Sequence, residues 1–219
     1  MMKLFKRKTL PLLHWKDITI ARHKAIIGVY EKYNGADDLT FFPYDLVCAA
    51  YGRSEEWMNN LKISEANEWV NSIEPLGHRP KPAPVRQSYT LNGKVYRPVL
   101  NMQALSTSQY IDFQQLADKS REMPAEFLSI LLLPDGHKYN DGYDMAEVVN
   151  DIENFMSVED CLGLTAFFFD LLVISIKASI RRLKREERKA RKEGLLTPEQ
   201  SEALKRVTDL LESVGGLRR

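Results

Sequence analysis

Only two cysteines and four histidines stand in the 219 residues, and neither kind is placed for chemistry. Cys48 and Cys161 each lie inside an apolar helical pattern. No disulfide framework is therefore expected, and a reducing compartment is the default. His14, His23, His78 and His137 are scattered, with neither HExxH nor CxxC among them, so the common zinc signatures are excluded. A P-loop, a GxGxxG fingerprint and a GxSxG elbow are missing as well. The phosphate cradles and nucleophile turns that these motifs build are thus not in the sequence. No catalytic residue, no metal ligand and no cofactor is expected, and the chain reads as a non-enzyme.

Long apolar runs are scarce too. The one candidate is "CLGLTAFFFDLLVISI", residues 161–176. It falls short of the roughly 20 residues a spanning helix needs. Asp170 in its middle would cost about 2.5–3.5 kcal/mol inside a bilayer. The run predicts a helix buried on most sides in a soluble protein, with no membrane partner. The opening "MMKLFKRKTLPLLHWKD" is basic but lacks the apolar core and small-residue cleavage site of a signal peptide, so it reads as an irregular arm.

Helix signals dominate what is present. Thr19 precedes "IARHKAIIGVYEKY", and Pro43 opens a segment that Gly52 closes. Ser54, Ser64 and Ser157 stand where they would cap the helices after them, and Pro124 opens "AEFLSILLL". Ser106 with Gln109, and Asp144 with Glu147, have capping-box spacing. Four prolines between residues 75 and 84 predict an extended linker there. Asn92-Gly93 between "SYTL" and "KVYRPVL" predicts a β-hairpin, isolated and packed on helices, with Pro98 at an edge or an end. The halves around the linker show a weak repeat, Pro43 matching Pro124 and Ser64 matching Ser157. Duplication and ordinary capping explain it equally.

The predicted fold is mainly α: two related helical lobes with one β-hairpin and a long C-terminal helical hairpin. Its parts are an N-terminal arm (1–14), helical lobe 1 (15–74), a proline-rich linker (75–87), the hairpin (88–101), helical lobe 2 (102–176) and the basic helical hairpin (177–219).

Two stretches suit recognition. "ILLLPDGHKYNDGYD", residues 130–144, holds three Asp, one His and two Gly. Setting Gly142 at the sixth position of an EF-hand loop puts His137 first and Val148 last, so a calcium cage cannot form. The stretch predicts a connector that offers Tyr139, Asn140 and Tyr143 to a partner. Residues 177–194 carry nine Lys or Arg against three Glu and continue the apolar helix for about 35 residues, roughly 50 Å. Arg181, Arg182, Lys184, Arg185, Arg188 and Lys189 are the candidates there. A solvated charged face, phosphate contact and docking on an acidic protein surface are its three readings. Membrane association through 161–192 is a weaker one. A last amphipathic helix, with Leu204, Val207, Leu210 and Leu211 on one face, would complete the hairpin.

At "ALSTSQYIDFQQL" and "ILLLPDGHKYNDGYDMAEVVNDIENF" the chain resembles small proteins encoded among the virion and tail-assembly genes of tailed bacteriophages, crAss-like and related gut phages included. The motifs are W-x-D-I-T at Trp15 to Thr19, Y-x-L-N-G-K-x-Y at Tyr89 to Tyr96, Q-Y-I-D, and K-Y-N-D-G-Y-D at Lys138 to Asp144. Residues 15–170 are covered, and the basic C-terminal helices lie outside. The resemblance implies a structural or assembly protein, chaperone or connector component, that binds other virion or tail proteins. It implies the host cytoplasm during assembly, or the virion, as its place. Homo-oligomerisation and DNA contact through the C-terminal helix are the further expectations, a nucleic-acid-binding accessory protein being the alternative.

Overall fold

Backbone capping sets the order of elements in the computed structural model, which describes residues 10–117 and 119–192 together with 202, 206 and 207. A short 3-10 turn at Trp15–Asp17 leads to Thr19, whose Oγ1 accepts the Arg22 amide and starts α1 (Ile20–Lys32). Helix α2 (Phe42–Tyr51) has Pro43 in its first turn and ends on Gly52, at φ 63°, where only glycine sits without strain. Ser54 caps α3 (Glu55–Asn59). Ser64 does not cap α4 (Ile63–Ser72), contrary to expectation. The Glu65 carboxylate takes the Lys62 amide instead, so the helix starts two residues earlier and Ser64 falls inside its first turn. Trp15, Ile18, Ile26, Val47, Ala50 and Met58 form the core of this region, joined by Val158 from much later in the chain.

The hairpin stands where Asn-Gly places it. β1 (Tyr89–Leu91) and β2 (Lys94–Pro98) pair antiparallel, Tyr89 opposite Tyr96, with Asn92 at φ 49° and Gly93 at φ 75°. It is not isolated, however. Leu132–Pro134 forms β3 against β2, Pro98 opposite Leu132, and makes β2 the central strand with Pro98 at its end. Helix α5 (Thr107–Ala117) precedes α6 (Pro124–Leu131), and α6 stops at Leu131 where Leu132 turns extended and begins β3. Six of the eight residues of α6 are buried. The Gln109 side chain donates to the Ile130 carbonyl at 2.6 Å, so only the Ser106 half of the expected capping box forms.

Asp144 accepts the Ala146 amide to start α7 (Met145–Phe155), while Glu147 pairs with Lys94 instead of closing a capping box. Ser157 accepts the Asp160 amide at the start of α8 (Val158–Lys192), a single 35-residue helix. The two capping residues Thr19 and Ser157 lie side by side, with Val158 N–H donating to the Ile18 carbonyl at 2.8 Å. Of the expected second arm of the hairpin, Glu202, Arg206 and Val207 are helical, with Arg206 ion-paired to Glu202 at 2.8 Å. Leu204, Leu210 and Leu211 lie outside the described residues.

Two compact units result. One takes the chain up to Val99 with Ser106–Thr165; the other takes Leu100–Leu105 and the chain from Ala166 onward. The division thus runs through α8, and both expected lobes fall largely within the first unit. The proline-rich segment does not separate them, and it is bound down at Ala83. Ala83 N–H donates to the Glu159 carbonyl at 2.9 Å, and the segment passes directly over Gly163 of α8.

A buried carboxylate ties the hairpin to α7. Asp151 is fully buried; it accepts from Tyr96 Oη at 2.6 Å and Asn92 Nδ2 at 3.0 Å, with Lys94 Nζ 3.5 Å away. Burial alone pushes its carboxyl up, but the bonds from Tyr96 and Asn92 and the Lys94 charge outweigh that and hold it below the usual range. A depressed folded value gives stability that is present above the unfolded pKa of about 3.9 and is lost as pH falls through the folded one. The melting temperature should therefore fall in acid, below about pH 4, and fall less steeply in Asp151→Asn. Circular dichroism melts across pH check this.

Candidate interaction surfaces

The 135–144 loop is exposed at every position but Tyr139 and Tyr143, whose hydroxyls turn inward. Tyr139 Oη donates to Asp112 Oδ2 at 2.7 Å, and burial followed by that bond holds the phenol well above its usual range. The Tyr143 hydroxyl is buried with its ring edge on His137, 5.9 Å between centroids. Both tyrosines are half-buried where exposure was expected, Tyr139 bonded to Asp112 of α5 and Tyr143 set against His137. Asn140 alone of the three is exposed, at φ 60°. Two of the loop's three acids are engaged: Asp135 pairs with Arg97, and Asp144 caps α7. Among the described residues no three His, Cys, Asp or Glu side chains gather as a metal-binding group.

The basic stretch faces solvent. Arg181, Arg182, Lys184, Arg185, Arg188 and Lys189 are all exposed on α8. At 100° per residue they share about 160° of the helix circumference. Away from that arc, Ile176, Ile180, Leu183, Glu187 and Ala190 are buried or half-buried at alternating steps of four and three, the spacing of a coiled-coil seam.

The apolar run before it is less buried than its composition suggests. Of positions 161–176 only Cys161, Gly163, Leu164 and Phe168 are buried, while Leu162, Ala166, Asp170 and Ile174 are exposed. The expectation of burial on most sides is corrected accordingly. By length and composition α8 is apolar enough to cross a membrane, its most apolar 18-residue window having a mean hydropathy of 1.9 with 22% of it buried.

A third surface was not read from the sequence. Helices α1 to α4 enclose an open cleft of about 590 Å³, floored by Met58 and Ala66 and edged by Phe41 and Ile63. Phe41 is 61% exposed and Ile63 77%. Asp45 in its wall accepts from Lys32 Nζ at 2.7 Å and Tyr33 Oη at 2.8 Å. Glu55 lies 3.9 Å from Lys32 with its side chain 73% exposed. Cys48 also lines the cleft; burial first, then Asp45 and Glu55, push its thiol up, which disfavours the nucleophilic thiolate. Burial likewise pushes Cys161 up to about 11. The only sequence trace of this cleft was the Phe41-Phe42 pair ahead of Pro43, flanked by acidic residues.

No family model, no curated protein and no solved structure matches the chain.

Proposed function

We propose that the chain is a non-enzymatic structural or assembly protein of a tailed bacteriophage. It binds other virion proteins during tail or head-to-tail assembly, as a chaperone or as part of a connector. The observation that carries this reading is α8, a 35-residue helix with its basic arc exposed opposite a seam-like stripe. A helix so arranged supports recognition along its length, and the phage-like motifs at Tyr89 to Tyr96 and Lys138 to Asp144 supply the setting. The protein acts in the host cytoplasm during assembly and remains in the particle if it is a connector component.

Binding to the purified tail and head-to-tail proteins of the encoding phage tests it. At least one of them should be retained with about micromolar affinity or better. Arg181→Glu with Arg182→Glu and Arg185→Glu should weaken that retention by roughly tenfold or more. Retention of none of these proteins would contradict the reading.

A second reading has its own support in the same arc, since six exposed cations on one side of a helix offer the charge that backbone phosphates attract. For an accessory protein that binds nucleic acid, log affinity should fall with log salt at a slope of about −0.9 per phosphate met. Equal affinity for duplex DNA at low and high salt removes it.

A further inference from the structure

We propose that the cleft formed by α1 to α4 receives α8 of a second copy of the chain, Ile174 entering its apolar floor and Arg181 and Arg185 meeting its acidic rim. This rests on the assembly reading above and names a partner for it.

The cleft asks for an apolar group beside a cation. Its edges hold Phe41 and Ile63, two of the most exposed large apolar side chains among the described residues. Lys32 is already matched by Asp45, which leaves Glu55 as the more solvent-facing carboxylate of the lining. Residues 31–66, which build the cleft and its rim, carry seven acidic side chains against three basic ones.

Helix α8 presents the complementary pattern on one line. Ile174 is 62% exposed. With Arg181, Arg185 and Arg188 it lies within about 60° of the helix circumference. Arg181 follows Ile174 by about 10 Å along the axis and Arg185 by about 16 Å. An apolar anchor followed by cations thus faces an apolar floor followed by carboxylates. Over residues 177–194 the balance is nine basic against three acidic, opposite in sign to that of the cleft. Donor and acceptor are different surfaces, so the contact is head-to-tail, the kind that builds rings or filaments.

Size-exclusion chromatography with light scattering on the full chain tests this. Wild type should exceed the 25.2 kDa of one chain as concentration rises. Arg181→Glu with Arg185→Glu should weaken self-association by about tenfold or more, and Glu55→Arg should do the same. Mixing the two variant proteins should restore association, because each then offers the other an opposite charge at both surfaces. Melting curves confirm that both variants are folded. Association that persists in both variants overturns the proposal. A chain that stays at 25.2 kDa throughout yet retains virion proteins also overturns it, and leaves the assembly reading standing. So does a one-chain mass together with pelleting on phosphatidylserine vesicles that Ile174→Asp abolishes, which would assign the face to lipid.

Discussion

Asp151→Ala should cost the protein about 3 kcal/mol, since it removes a charged acceptor and strands its buried partner Tyr96. Tyr96 is 1% exposed, and its hydroxyl has the Asp151 carboxylate as its acceptor at 2.6 Å. Asn92, in the turn, loses its bond to the same group. For a chain of this size the loss corresponds to a fall of about 6–12 °C in melting temperature. Asp151→Asn keeps an acceptor oxygen without the charge and should cost about half as much. The consequence reaches beyond stability, because β2 also holds β3, from which the 135–144 loop departs. Thermal melts of the two variants, followed by circular dichroism, give both values. A loss under about 1 kcal/mol for the alanine variant would mean that the carboxylate does not hold the hairpin to α7.

Gly163→Ala should destabilise the chain although it lies within a helix. Alanine is favoured over glycine by about 1 kcal/mol in a helix interior, so propensity alone gives the opposite sign. A Cβ at Gly163 would overlap the carbonyl oxygen of Ala83. That backbone cannot withdraw freely, because the Ala83 amide is bonded to the Glu159 carbonyl one turn earlier. Overpacking against fixed backbone costs about 1–3 kcal/mol. The proline-rich segment should also become a faster target for proteolysis as it lifts from α8. Gly28→Ala is the control: nothing lies within 4 Å of its added Cβ, so it should stabilise by up to about 1 kcal/mol. Urea denaturation compares the two, and a stabilised Gly163→Ala would show that the segment does not sit on α8 as described.

What could be read from the sequence was local. Thr19, Ser54, Asp144 and Ser157 cap the helices they precede because a cap reaches only two or three residues ahead. The hairpin turn is written in Asn92-Gly93 for the same reason. Ser64 misled because Glu65 offers a carboxylate to the Lys62 amide. β3 was hidden because its partner is more than thirty positions earlier, and "ILLLP" reads as the end of a helix. The inward turn of Tyr139 depends on Asp112, 27 residues away. The run around Phe167, Phe168 and Phe169 is apolar on every side, so periodicity could not say which side would be covered. The basic arc was legible because charged side chains on a helix face water by default. The cleft was not, since four helices must meet before it exists.

Deleting the coding sequence from the genome that carries it, and imaging any virus particles then produced, tests the proposed assembly role most directly. An assembly role expects loss of infectious particles, with incomplete ones, such as heads without joined tails, restored by the wild-type gene supplied in trans. Complete particles at normal titre would contradict it.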